Sequence, residues 1–275
     1  MKPLIALLLC LLQSTQDNSA RVIAELVEKL RSERVEERDE ATKKLRALGK
    51  AVLPALEEAA KDKDLELAGR ARLILEGIES DARPRFKSTP DSPEMNVKAP
   101  DVFKARFSTS KGDFVIRVTR TWAPLGADRF FSLVKNGFYT DCRFFRVLPG
   151  FVSQFGIHGD PEISAPWKGA SIEDDPVLQS NTRGRISFAT RGPNTRTTQL
   201  FINFKDNSYL DAMGFTPIGE VVEGMEVVDR LHSDYGEGAP MGKGPSQAKI
   251  QLEGNKYLEA EFKDLDFIWS SKILE

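Results

Sequence analysis

The spacing of apolar residues changes near residue 100, from helical throughout to mainly alternating, and that change restricts the chain to two kinds of structure in series. Before it, Val22, Leu26 and Leu30, then Ala41, Leu45 and Leu48, then Leu53, Leu56 and Ala60, then Ala71, Leu75 and Ile78 recur at helical spacing. After it, Val102–Phe107 and Phe114–Val118 alternate with period two around the turn Ser110-Lys111-Gly112-Asp113, which predicts a β-hairpin. The 275 residues suffice for one or two domains, and a 40% hydrophobic fraction with 17 Phe can fill a sizeable core. Net charge is −2, so nothing favours nucleic acid or an acidic membrane surface as a partner.

The expected organisation is a signal peptide over 1–20, a helical segment over 21–80, a linker over 81–100 and a β-rich domain over 101–275. Lys2, the apolar run Leu4–Leu12 and the small polar residues Ser14 to Ala20 form the signal pattern. The run is too short to span a bilayer, which takes about 20 residues. It implies export to a periplasmic or extracellular location with no membrane span in the mature chain, or an anchor if it is left uncleaved. The helical segment repeats itself at an offset of 30 residues: Leu26 with Leu56, Val35 with Leu65, Ala41 with Ala71, Leu45 with Leu75. It resembles a HEAT-type repeat pair, a module that makes protein contacts, and a plain helical hairpin with solvated charges explains the same pattern. Asp81–Pro100 carries four prolines and no period, hence the linker.

Within the β-rich domain, Ala127–Val134 reads as a helix stopped by Asn136-Gly137, and Ile186–Ala189, Leu200–Phe204 and Phe215–Val222 read as strands. Val227–Leu231 reads as a helical turn, Ile250–Phe262 as a helix and Leu265–Trp269 as the strand that closes the barrel. These elements describe a closed or nearly closed antiparallel barrel capped by helices.

The stretch Arg143–Gly156 is apolar nearly throughout, with a tight turn at Pro149-Gly150. Arg146 and Gln154 sit on either side of that turn, so a hairpin brings a cation and an amide side by side against Phe151 and Val152. Such a surface can grip an uncharged group and donate hydrogen bonds to it; a solvated Arg at a sheet rim is the alternative.

Three blocks share this domain: Phe145-Arg146-Val147-Leu148-Pro149-Gly150-Phe151-Val152-Ser153-Gln154, Gly192-Pro193-Asn194-Thr195 followed by Gln199-Leu200-Phe201-Ile202, and Tyr209-Leu210-Asp211. In this order and spacing the chain from Val102 to Ile273 resembles the cyclophilin family of peptidyl-prolyl isomerases, in a bacterial form with an enlarged loop after Gly156 and a long C-terminal segment. The resemblance implies a mainly β fold, an eight-stranded closed antiparallel barrel capped by two helices, with a hydrophobic groove on its outer face. It implies that Arg146 is the catalytic arginine. It assigns the walls of the proline pocket to Phe151, Val152, Phe201 and Leu210, its amides to Gln154 and Gln199, substrate-backbone pairing to Ala189 and Thr190, and a further substrate-binding position to Tyr209. Phe145 stands where many members have His, Tyr209 where many have the Trp that contacts cyclosporin, and Ala212-Met213-Gly214-Phe215 lacks a further pocket His.

The chemistry fits these residues. A prolyl bond isomerises over a barrier of ~18–20 kcal/mol because rotation breaks amide conjugation. In the twisted state the nitrogen regains a lone pair, and a fixed guanidinium aimed at it favours that state over either planar isomer. No nucleophile, metal or cofactor is required. His158 and His232 share no motif, Cys142 reads as a small buried side chain, and Glu173-Asp174-Asp175 lacks calcium-loop spacing and reads as a solvated loop. Gly236–Gly244, with two glycines on each side of Pro240, lacks the Gly-Lys-Ser/Thr of a phosphate loop. The expected function is prolyl isomerisation that assists exported proteins, acting on proline-containing polypeptides, with a protein partner for residues 21–80. The competing reading is a module that binds proline segments with weak or no turnover.

Overall fold

A computed structural model describes residues 19–81 and 86–274. They fall into two units divided at the Pro84–Arg85 bond. The stretch read as an export signal lies outside the described residues, apart from its last two. Among the described residues no helix is long and apolar enough to cross a membrane.

In the first unit the offset of 30 seen in sequence is an offset in structure. Helix α1 covers residues 19–29, α2 Val35–Leu48, α3 Leu53–Ala59 and α4 Leu65–Asp81. Gly49, at φ +57°, ends α2, and Pro54 occupies the first turn of α3, where its missing N–H costs no hydrogen bond. Leu26, Leu30, Ala41, Leu45, Leu56 and Ala71 are buried in one core. The matched pair Val35 and Leu65 is exposed instead, at 54% and 84%, because these residues start α2 and α4 rather than face the core. Arg31, in the turn after α1, reaches Asp62 at 2.7 Å in the equivalent turn after α3.

The second unit is a curled eight-stranded sheet. Its strands are β1 (Val102–Thr109), β2 (Gly112–Thr119), β3 (Arg146–Val147), β4 (Val152–Phe155), β5 (Arg185–Phe188), β6 (Leu200–Asn203), β7 (Pro217–Glu223) and β8 (Ile268–Leu274). They lie in the order β3-β4-β6-β5-β7-β2-β1-β8, every pair antiparallel. Strand pairing does not run round the full circle as expected for a closed barrel: β3 and β8 are the two edges. They are drawn together just outside the strands, where Arg143 and Phe267 form an isolated bridge flanked by Phe144 N–H donating to Asp266 O and Ile268 N–H to Cys142 O. The closing strand begins three residues later than its alternation suggested, and just ahead of it the Asp266 carboxylate accepts from Ser110 Oγ and His232 N.

Aromatic side chains fill the inside. Phe107 stacks on Phe114 at 5.2 Å, and Tyr139, Phe130 and Phe155 surround Phe107 within about 6 Å. Helix α5 (Pro124–Lys135) caps this core with Phe130, Leu133 and Val134, and the short α7 (Met225–Asp229) adds Val228. The residues expected to be a linker contribute as well. Phe86, Met95 and Ala99 are buried in this core, with Phe86 edge-on to Phe138 at 5.3 Å, so the chain from Phe86 onward is part of the second unit. The apolar residues between the prolines decide this.

The loop after Gly156 and the C-terminal segment build an additional cap. It consists of α6 (Pro161–Trp167), α8 (Gln247–Glu253) and α9 (Asn255–Glu261). The helix expected over 250–262 is broken at Gly254, φ +60°, where the backbone approaches Gly159 so closely that a Cβ would lie 2.0 Å from its carbonyl oxygen. Ile250, Tyr257, Leu258, Phe262 and Leu265 form a second small core with Phe145 and Ile157.

Candidate active site

The turn at Pro149-Gly150 folds β3 against β4 and sets Arg146 directly opposite Gln154. Gly150 takes φ +73°, open to glycine without strain. Beyond β4, Gln154 lies opposite Phe201 of β6. Side chains alternate along a strand, so Phe155 and Ile202 enter the inner core while Val152, Gln154 and Phe201 share the outer face. There Val152, Phe201 and Leu210 form a buried apolar cluster, with Phe151, Ala189 and Phe215 packed around it.

A line of polar groups runs along this cluster. Arg146 Nη1 donates to Gln154 Oε1 at 3.3 Å, and Gln154 Nε2 donates to Gln199 Oε1 at 2.9 Å. Gln154, Gln199, Ala189 and Thr190 together line a cavity of about 300 Å³. Ala189 N–H is taken by the Gln199 carbonyl at 2.9 Å. Thr190 Oγ1 meets Thr195 Oγ1 at 2.7 Å and holds the 191–195 loop. Arg146 also lies over the Phe151 ring, 5.6 Å from its centroid. Tyr209, 57% exposed, stacks on the other aromatic of the rim, Phe151, at 6.4 Å. All ten residues singled out in the sequence therefore fall on one face.

Buried amides hold the rim. Phe151 O accepts from Asn207 Nδ2 and from Phe204 N–H, each at 2.9 Å. Asp211 beside Leu210 accepts from Ser180 Oγ, Asn181 N and Asn181 Nδ2. Burial pushes the Asp211 carboxyl up, but these donors outweigh it and hold it below the usual carboxylate range.

Two contributors escaped the sequence reading. Phe215, named above only as the last residue of the run that lacks a histidine, sets its ring edge against Phe201 at 5.4 Å. Glu237 forms a two-pronged ion pair with Arg146, Nε to Oε1 and Nη2 to Oε2, each at 2.7 Å. The Arg146 guanidinium holds the Glu237 carboxyl below its ordinary range. The only sequence sign of Glu237 is an acidic residue set among glycines.

Three other side chains of the domain serve packing and structure. Cys142 is fully buried, and burial pushes its thiol well above the ordinary range, which suits packing rather than nucleophilic attack. His158 accepts from Asp160 N–H at 2.9 Å and packs edge-on to Phe138. Asp175, expected in a solvated loop, is buried: it pairs with buried Arg196 at 3.0 Å and accepts from Leu125 N and Gly126 N at the start of α5.

The profile of the "Cyclophilin type peptidyl-prolyl cis-trans isomerase/CLD" family matches residues 104–253. The chain belongs to the cyclophilin family. Its activity is that of a peptidyl-prolyl cis-trans isomerase. It is 36% identical over 129 residues to the peptidyl-prolyl cis-trans isomerase of Acinetobacter baylyi, covering 45% of this chain and 68% of that one. It is 34% identical over 134 residues to peptidyl-prolyl cis-trans isomerase B of Escherichia coli, covering 46% and 81%. With human peptidyl-prolyl cis-trans isomerase-like 3 it shares 35% over 130 residues, covering 45% and 78%. A solved cyclophilin-type isomerase of Cryptosporidium parvum superimposes with TM-score 0.47 at 21% identity over 63% of this chain and 98% of that one. Within this cyclophilin the Phe145 departure has a physical reason. The ring is buried against Ile157, Ile250 and Leu258 of the added cap, where a polar imidazole would lose its water.

Proposed function

We propose that this cyclophilin turns over X-Pro bonds by presenting the Arg146 guanidinium to the twisted amide nitrogen. The observation that carries the reading is the continuous line Arg146–Gln154–Gln199 along an apolar cluster of Val152, Phe201 and Leu210. A proline ring fits the apolar cluster, and the amides suit the peptide carbonyls beside it. The cation acts only where the nitrogen lone pair develops, which is binding of the twisted state in preference to the planar ones. Because Arg146 is held by its neighbours before substrate arrives, little reorganisation opposes this step.

Arg146→Ala is expected to lower kcat/KM on a proline peptide by about 100-fold or more, the scale of removing one preorganised donor. A protease-coupled isomerisation assay reads it, with circular dichroism as the check of fold. Full activity in a folded variant overturns the reading.

The client class is exported proteins, on the strength of Lys2 and the apolar run Leu4–Leu12. The paired helices of residues 21–80 act as a HEAT-like docking module, supported by the two-fold recurrence of their helices and turns. Fractionation of cells producing the full chain tests export, and recovery in the cytoplasmic fraction removes it. A pull-down with residues 21–80 tests docking.

A further inference from the structure

We infer that Glu237 is a positioning residue for Arg146, and that the glycine-rich loop Gly236–Gly244 exists to place its carboxylate. The inference rests on Arg146 being the group that acts on the prolyl bond.

A guanidinium has two edges and two faces. Glu237 occupies one edge in full, with both carboxylate oxygens on Nε and Nη2 at 2.7 Å. Phe151 lies against a face, 5.6 Å from Cζ. Nη1 points toward Gln154 at a loose 3.3 Å, on the side of the apolar cluster. A two-pronged carboxylate fixes a planar fork in both direction and tilt, which a single contact cannot do. With Gln154 taking one Nη1 hydrogen, the arrangement leaves the second N–H of Nη1 and that of Nη2 for substrate and removes the rotational freedom of the group.

The loop is shaped around this one side chain. Glu237 Oε1 accepts from Gly238 N–H at 2.9 Å, and the Glu237 carbonyl accepts from Gly244 N–H at 2.8 Å. Gly238 and Gly244 form a parallel bridge that closes the loop on itself. A Cβ at Gly242 would lie 2.3 Å from the Glu237 carbonyl oxygen, and one at Gly244 would lie 2.8 Å from the same atom. A Cβ at Gly238 would lie 2.8 Å from Pro245 O. Three of the four glycines are thus required by close backbone approach at or beside Glu237. The loop is anchored at both ends to the added cap. Tyr235 sets its ring edge-on to Phe262 at 5.1 Å, and Ser246 N–H donates to Tyr257 Oη at 3.1 Å. The cap, the loop and the arginine form one mechanical series.

The test is a double-mutant cycle in the full chain between Glu237→Ala and Arg146→Ala, read by the protease-coupled assay. It is joined by the Nε–H resonance of Arg146 in a nitrogen–proton correlation spectrum. Glu237→Ala is expected to lower kcat/KM about 10- to 100-fold through misplacement of a catalytic group, with the backbone amide spectrum of the barrel retained. The Arg146 Nε–H signal is expected to broaden or move as the side chain is released. Glu237→Gln, which keeps one acceptor and is nearly isosteric, is expected to recover part of the loss and serves in place of the Ala variant should that fail to fold. In the Arg146→Ala background Glu237→Ala is expected to have no further effect. Unchanged or raised activity in Glu237→Ala overturns the inference, and so does a loss of the same size in the Arg146→Ala background. Loss of activity in Arg146→Ala without loss in Glu237→Ala removes this inference alone, whereas full activity in Arg146→Ala removes the reading beneath it.

Discussion

Phe145 shows how one residue can depart from its family without disturbing the site beside it. It precedes Arg146 in the chain, yet its ring enters the cap core with Ile157, Ile250 and Phe262. Phe145→His places a smaller, polar ring where its nitrogens find no water. An unmet buried polar group costs about 1–3 kcal/mol, before any loss of packing. The variant is therefore expected to lower the urea midpoint clearly and to bring no gain in isomerase activity. An unchanged midpoint would mean that the ring is not held as the structure shows. The contrast with Glu237 explains what was legible at this scale. Arg146, Gln154, Phe151 and Val152 lie in one short hairpin, and a hairpin's register follows from its turn. Gln199 and Phe201 enter by the same strand logic. Glu237 meets Arg146 across 91 positions from a loop with no regular period, and no local pattern announces such a contact.

Elements with a strong period were readable, and their partners across the fold were not. The strands of the β1–β2 hairpin, β5, β6 and β7, and the body of α5, follow from alternation and helical spacing. The segment Glu173-Asp174-Asp175 carries neither, and its charges suggested solvent. Asp175 is instead the joint between a loop and a helix. It neutralises Arg196, which is 1% exposed, and accepts the Leu125 and Gly126 N–H groups that α5 leaves unpaired at its start. Its own carbonyl accepts from Thr216 Oγ1 at 3.0 Å, next to β7. Removing one partner of a buried ion pair costs up to about 3–5 kcal/mol, and without Asp175 the buried Arg196 is left with the partly exposed Asp174 carboxylate at 3.3 Å. Asp175→Ala is expected to lose stability on that scale in a denaturant titration. Asp174→Ala, whose carboxylate is partly exposed, is expected to lose much less because water replaces it. Equal losses would overturn the assignment.

For the molecule as a whole, the boundary between its units is a question of what the prolines conceal. Proline content made 81–100 read as spacer, and the apolar residues among the prolines were too few to form a period. Packing decides otherwise: Phe86 meets Phe138 at 5.3 Å and Trp167 at 6.0 Å, and Ala99 N–H donates to Asp128 Oδ1 at 2.8 Å. Asp128 is held in turn by Arg120 through two contacts of 2.8 Å. The segment thus holds α5 through Asp128 and adds Phe86, Met95 and Ala99 to the core. Every residue of the candidate site lies after Arg85, so a chain shortened to begin at Arg85 is expected to retain the kcat/KM of the full protein on a short proline peptide. A chain shortened to begin at Asp101 loses Phe86, Met95 and Ala99 together. Deleting one buried aromatic side chain alone costs about 3–5 kcal/mol, a large part of the ~5–15 kcal/mol that holds a domain folded. The second chain is therefore expected to melt far below the first and to lose activity with its fold. Thermal melts of both, alongside the peptide assay, read the result. Equal melting of the two would return residues 86–100 to the role of a spacer, and loss of activity in the first would make the helical unit part of the catalyst.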